Sequence, residues 1–345
     1  MARVELEPVE LEEEDELGVD IPAEIIGRSP GQIFWRRFRK DRFAFVGIII
    51  IIFIVAMAFL APVFAKVLHH PPDQPYVDEM THSLAGNSAN GSLIVTGIVN
   101  GPTLHNPAGI FLFGADSTAR DLFVRVMYGA QTSLYVALSA TVLEVVMGVF
   151  FGILAGYYRG KVDTVISRAC DIFFALPTLL LILGISAACG AQPPGQECAG
   201  GLLKPGRGLI IFLIGFFAWP YLARIIRGQV LSLREKEFVE ASRSLGSSNT
   251  RIMMRDILPN VLAPIIVYST LLIPTNILAE ASLSYLGLGV PPSIPSWGNQ
   301  IAEATSIYRI APWTMIFPGI FLLLTTLAFN LVGDGLRDAF DPKTS

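Results

Sequence analysis

Three carboxylates sit inside stretches that are otherwise apolar: Glu144 within the run from Thr132 to Tyr158, Asp171 at the start of the run from Cys170 to Ala188, and Glu280 near the end of the run from Val261 to Leu286. A carboxyl in hydrocarbon is costly, so such a group normally faces protein or a water-filled path. The three are candidates for lining or gating a path, and Glu144 and Asp171 are also the places where an ion-driven carrier would bind a proton. For Glu144 a hydrogen-bonded packing role is an equal alternative, and Glu280 either seals the end of its run or only caps its helix. Metal and nucleophile chemistry have less to work with. His69, His70, His82 and His105 all fall between Lys66 and Arg120 without HExxH or another ligand spacing, so they read as solvated loop residues. The stretch nearest to a phosphate loop, Gly160-Lys161, has Ala155 and Val162 where GxxxxGK[ST] requires Gly and Ser or Thr. No catalytic residue, metal site, cofactor or nucleotide site is therefore expected.

The elements that would hold these groups are membrane spans. Of 345 residues, 52% are hydrophobic and 16% charged, and the mean hydropathy of +0.55 lies outside the range of soluble domains. Six runs fit spans: Phe43–Ala65, Thr132–Tyr158, Cys170–Ala188 with a kink at Pro177, Ile210–Ile226, Val261–Leu286 and Pro312–Val332. Each is judged against the roughly 20 apolar residues that cross ~30 Å of hydrocarbon. Gly148, Gly152 and Gly156 recur every fourth residue in the second run, a spacing that lets helices approach closely. Before the first run stands the basic amphipathic stretch GQIFWRRFRKDR, with Phe34, Trp35 and Phe38 suited to headgroup level. Basic residues there, and at Arg159, Lys161, Arg168, Arg224, Arg227, Arg337 and Lys343, put both termini on the inner side. Residues 1–24 hold ten acids against Arg3 alone and read as a disordered tail; the rest of the chain is net basic and suits anionic lipid. No dense basic patch interleaved with aromatics suggests nucleic acid. Three cysteines are too few for a disulfide scaffold: Cys170 reads as packed, while Cys189 and Cys198 flank an outer loop as either a bridge or two thiols. Ser92–Val99 is a candidate strand in the long outer loop, and Asp116, Arg120, Asp121 and Arg125 read as surface ion pairs.

The longest charged segment between apolar runs is Leu231–Asn260, LSLREKEFVEASRSLGSSNTRIMMRDILPN. At helical spacing Leu231, Phe238, Ala241 and Leu245 share a face, Gly246 stops the helix, Ser247, Ser248 and Asn249 can cap a second, and Pro259 interrupts the chain before the next run.

Glu240-Ala241-Ser242, Gly246 and Leu258-Pro259 resemble the EAA loop of ABC importer permeases, with Ser242 in place of the second Ala and Asp256 where an apolar residue is usual. The stretches FGADSTARDLFVRVMYGA, EASLSYLGLG, PPSIPSWG and FNLVGDGLRDAFDP are similar to the C-type permeases of the dipeptide, oligopeptide and nickel branch, across about residues 29–342. This resemblance implies an all-α integral membrane protein with six transmembrane helices in the type I ABC importer permease fold. It implies a tail at 1–28, a basic stretch and first span at 29–65, an outer loop at 66–118, a five-helix core at 119–335 with the coupling loop at 228–260, and a tail at 336–345. It further implies a bacterial or archaeal inner-membrane location, a heterodimer with a related permease, two cytoplasmic ATP-binding subunits and an extracytoplasmic solute-binding protein. Glu240, Ala241, Ser242, Gly246, Leu258 and Pro259 would couple to the ATPases. The cargo implied is dipeptide or oligopeptide, with nickel or another small solute next. An ion-gradient carrier is the rival of a different class, but matched halves, which such a carrier usually shows, are not visible.

Overall fold

The computed structural model describes residues 30–75, 103–106, 109–190 and 206–340. The acidic tail, Ser92–Val99, His82, Cys198, the side chain of His105 and the last five residues lie outside them. The helices in chain order are α1 (Pro30–Lys40), α2 (Arg42–Val67), α3 (Leu122–Tyr158), α4 (Gly160–Ala175), α5 (Thr178–Gly190), α6 (Arg207–Leu233), α7 (Glu237–Ser244), α8 (Leu258–Tyr285), α9 (Trp297–Ala304) and α10 (Trp313–Phe340). A small antiparallel hairpin, β1 (Thr103–Asn106) and β2 (Gly109–Phe111), stands between α2 and α3 with Thr103 opposite Phe111. Five helical segments are long and apolar enough to cross a membrane. The pair α4 and α5, bent by 79° at Leu176-Pro177, makes a sixth if counted as one span. The expected kink at Pro177 is thus a full break, and the segment begins at Gly160 rather than Cys170, which is buried as expected.

The alternating direction of the helices gives the bundle two ends. One carries α1, α7 and the close of α10, where the rings of Phe34 and Phe340 are 4.4 Å apart. It is called the loop end here. The other carries the β-hairpin, α9 and the first turn of α3, and is called the hairpin end.

α3 is the axis of the fold. Its 37 residues would extend about 55 Å at 1.5 Å per residue, well beyond a hydrocarbon core of ~30 Å. Asp121 starts it by accepting hydrogen bonds from the Phe123 and Val124 amides at 2.8 and 3.3 Å, satisfying two donors that a helix start leaves open. The glycine repeat faces α6: Gly148 lies against Leu222, Gly152 against the Ala223 carbonyl and Ile226, and Gly156 against Val230. Gly215 returns the fit from α6, against the Ala140 carbonyl and Leu143. Between lipid-soaked helices no water is expelled from apolar surface, so such close approach is what makes association favourable.

At the loop end, Ile153 and Tyr157 of α3, Ile226 and Val230 of α6 and Val261 of α8 close around Val239, Ile252 and Ile257 of the charged segment. That segment departs from the sequence expectation in three ways. α6 runs on to Leu233, so the short helix starts only at Glu237. Its buried residue is therefore Val239, with Phe238 half-buried, whereas Leu245 is 86% exposed. Pro259 does not interrupt the chain either. A helical turn capped by Ser248 passes through a π-helical stretch, Ile252–Ile257, straight into α8, with Pro259 in its first turn where a missing N–H is harmless.

A Cβ added at Gly152 would meet the Ala223 carbonyl at 2.8 Å, whereas nothing lies within 4 Å of Gly184 on α5. Gly152→Leu is expected to destabilise by about 1–3 kcal/mol or more through overpacking. Gly184→Ala is expected to be neutral, and thermal unfolding of the detergent-purified protein checks both.

Candidate functional site

Eight of the nine residues expected to matter fall in two places, and a third place holds none of them. Glu240, Ala241 and Gly246 are exposed on or beside α7, and Ser242 is half-buried. Gly246 adopts φ +76, which closes the helix through a left-handed residue that a side chain would strain. Leu258 and Pro259 open α8 beneath it. The segments on either side of α7 are held by polar contacts to the neighbouring helices. The Tyr157 hydroxyl and Asn249 Oδ1 are 2.8 Å apart, and the Arg234 guanidinium donates to the Tyr157 carbonyl. Arg159, at φ 55 between α3 and α4, pairs with Glu235. Arg227 of α6 binds Asp163 of α4 with both carboxylate oxygens engaged, at 2.5 and 2.7 Å. The chain before and after the short helix is thus tied to the end of α3, α6 is tied to α4, and Val239 packs the short helix itself into the same cluster.

The second place is a buried polar seam between α3 and α8. Asn276 Nδ2 donates to Thr141 Oγ1 at 2.9 Å and to Glu144 Oε2 at 3.0 Å. One turn further along α8, Ser284 Oγ donates to Glu280 Oε1 at 2.7 Å and accepts from the Val290 amide at 3.1 Å. Glu144 and Glu280 are buried, at 1% and 0% exposure, and each keeps one oxygen without a hydrogen-bond partner among the described residues. The two acids therefore share one seam. Asp171 does not join it: half-exposed on α4, it pairs with Arg224 of α6 and Arg168.

The third place, at the hairpin end, overturns the expectation of surface ion pairs. Arg125 is fully buried, contacting Glu303 of α9 at 3.2 Å, Asp116 at 3.2 Å and, through Nη1, the Pro72 carbonyl at 3.3 Å. Arg120 adds a second guanidinium, 2.7 Å from both Asp116 and Glu303. His70 is likewise no solvated loop residue: it is buried, its Nδ1 lies 2.6 Å from Asp121 Oδ2, and its ring stacks on Phe111. Burial lifts the Asp121 carboxyl above its ordinary 3.8, more than the His70 contact and the two helix amides lower it. Burial also lifts Glu303 above 4.5, against the pull of Arg125 and Arg120. Beside this network, Trp297 Nε1 donates to the Val126 carbonyl at 3.1 Å and Gln300 Nε2 to the Arg125 carbonyl at 2.7 Å, so α9 is latched onto the first turns of α3. Ser296 before Trp297 is a visible helix-start signal, but nothing in the sequence pairs Glu303 with a residue 178 positions away. Among the described residues no group of His, Cys, Asp or Glu could hold a metal ion.

A multi-span helical bundle that presents a short charged helix at one end and locks a buried ion network at the other has the build of a membrane transport component. Residues 148–345 match the family described as binding-protein-dependent transport system inner membrane component, and residues 29–86 match the N-terminal transmembrane domain of oligopeptide transport permease C. The oligopeptide transport system permease protein OppC of Bacillus subtilis (strain 168) is 36% identical over 307 residues, covering 89% of this chain and 88% of the relative. The glutathione transport system permease protein GsiD of Escherichia coli O6:K15:H31 (strain 536 / UPEC) is 37% identical over 316 residues, covering 92% and 91%. Among solved structures, the inward-facing MetNI methionine ABC transporter matches with 17% identity and a TM-score of 0.46, over 61% of this chain and 95% of the other. The chain belongs to the family of binding-protein-dependent transport system inner membrane components, the permeases of ABC importers. It is a multi-pass protein of the inner membrane, and its mostly helical bundle, with five candidate spans among the described residues or six if the bent pair is one, agrees with the helical membrane protein expected from the sequence.

Removing one partner of a buried pair typically costs about 3–5 kcal/mol, because the other charge is left uncompensated. Arg125→Met is therefore expected to destabilise strongly, and Glu303→Gln in the same chain to recover part of the loss, a non-additivity that thermal unfolding of the four proteins in the cycle would show. A carboxyl whose folded pKa is raised favours folding below its ordinary value and loses that contribution as pH rises through the folded value. The unfolding temperature of the native chain relative to Glu303→Gln is accordingly expected to fall as pH rises above 4.5.

Proposed function

We propose that this chain is one of the two membrane subunits of an ATP-driven importer of dipeptides or oligopeptides, paired with a related permease. The observation that carries the reading is the build of the loop end. α7 displays Glu240, Ala241, Leu245 and Gly246 outward, and it is fastened through Val239, Tyr157 and Arg234 to the ends of the long helices. A helix meant only to connect two spans needs no such anchoring. In this reading the exposed face docks on a cytoplasmic ATP-binding subunit, one of two, and the chain hydrolyses no nucleotide itself. The loop end and both termini are then cytoplasmic, and the hairpin end receives cargo from an extracytoplasmic binding protein. The names of the relatives, an oligopeptide permease and a glutathione permease, support short peptides as the cargo class.

The mechanism follows from the same contacts. When the ATP-binding subunits close, the force on Glu240–Gly246 passes through Val239 and Tyr157 into α3, whose far end carries Asp121 and Arg125. A rod fixed at one end to the docking helix and at the other to an ion network shifts the population between two states rather than bending gradually. Glu144 and Glu280 act as the seam on which α8 moves against α3 and so gate the path, while Asp171 ties α4 to α6. Leu258 and Pro259 set the start of α8 beneath the docking helix.

The test is ATP-dependent uptake of a labelled dipeptide into vesicles holding the complete transporter, native or carrying Glu240→Ala with Gly246→Pro. Uptake and its coupling to ATP hydrolysis are expected to fall at least tenfold while the complex still assembles. Uptake that persists without ATP would overturn the reading in favour of an ion-driven carrier using the α3–α8 seam.

A further inference from the structure

We propose that α1, with the first residue of α2, forms a binding site for anionic phospholipid headgroups. Arg39, Lys40 and Arg42 are exposed, and none of the three makes an ion pair among the described residues. Arg36 is exposed on the same helix, and no acid occurs anywhere on α1. These cations do not hang from a floppy arm. Phe38 is buried against Ala44, Ala339 and the half-buried Leu336, and Phe34 stacks on Phe38 and meets Phe340, which seats α1 on the close of α10. Asp41 then breaks the helix and caps α2, accepting from the Phe43 and Ala44 amides at 2.9 and 3.1 Å. The bases of α1 are thereby followed within a few residues by the apolar start of α2, where Phe43 is 72% and Phe45 55% exposed.

The composition of the patch decides its occupant. Trp35, 57% exposed, stands beside the bases, and an indole at the border of an apolar wall suits the boundary between headgroup and acyl chain. An acidic peptide could neutralise the cations but would leave Trp35 and Phe43 in water; an anionic lipid supplies a phosphate for the bases and hydrocarbon for the rings. The chain's own acidic residues 1–24 are the rival occupant.

The experiment is native mass spectrometry of the full-length chain, purified in the assembly it forms in the membrane, with phosphatidylglycerol and phosphatidylcholine titrated in. Each base near an anionic surface contributes roughly fivefold in affinity, so neutralising three lowers phosphatidylglycerol affinity by about a hundredfold. Arg39→Gln with Lys40→Gln and Arg42→Gln is expected to show that loss, with phosphatidylcholine binding unchanged, whereas Arg39→Lys with Arg42→Lys retains native affinity. If the triple variant fails to assemble, Arg39→Gln and Lys40→Gln singly are each expected to lose about fivefold. Equal retention of the two lipids by the native protein, or no loss in the variants, overturns the proposal. A chain lacking residues 2–24 separates the rival. Phosphatidylglycerol binding that depends on the three bases with the acidic segment present supports the lipid site, and dependence that emerges only after its removal overturns it.

Discussion

The close approach of α3 and α6 is the contact on which the other elements depend. Hydrocarbon solvates a leucine as well as another leucine does, so two spans gain little from meeting unless their backbones come near enough for dense packing. Gly148, Gly152 and Gly156 provide that on one helix and Gly215 on the other. Once the pair is formed, Tyr157 and Val230 are side by side at one end, making the floor on which the charged segment folds. At the other end Arg125 is presented at a fixed height, where the chain after α2, the loop before α3 and α9 can all reach it.

Polar groups in this molecule are therefore placed by helices that were already fixed for apolar reasons. The hairpin-end network gathers residues from four separate stretches around two guanidinium groups, and an arrangement of that kind is worth little to stability but is intolerant of partial removal. The α3–α8 seam differs, since it holds carboxyls, hydroxyls and an amide with no fixed cation among the described partners. Side-chain hydrogen bonds between helices in a membrane are of modest strength, so the seam adds less to stability than the close packing of α3 on α6.

The sequence disclosed what depends on local composition. The first span was placed at Phe43–Ala65 and forms Arg42–Val67, because a continuous apolar run bounded by bases has no other solution. The fourth run ends at Ile226 by composition, because Arg224 and Arg227 look like membrane-border charges; they pair with Asp171 and Asp163 on α4, and the helix continues to Leu233. The short helix therefore starts later than the spacing predicts, and its buried residue is Val239, which does not belong to the face shared by Phe238, Ala241 and Leu245. Pairings across the chain left no trace: His70 with Asp121, Glu144 with Asn276 and Tyr157 with Asn249 join residues 51, 132 and 92 positions apart. Glu240, Gly246 and their neighbours were legible because a short charged helix with its own stop signal stands out against apolar spans.

Cys189, buried near the last turn of α5 at the hairpin end, is disulfide-bonded, while Cys170 on α4 is a free thiol. Disulfides persist in oxidising compartments and are rare where glutathione keeps thiols reduced. The packing of the hairpin end of α5 is thereby tied to the redox state of the phase it meets, a dependence that the free thiol of Cys170 does not share.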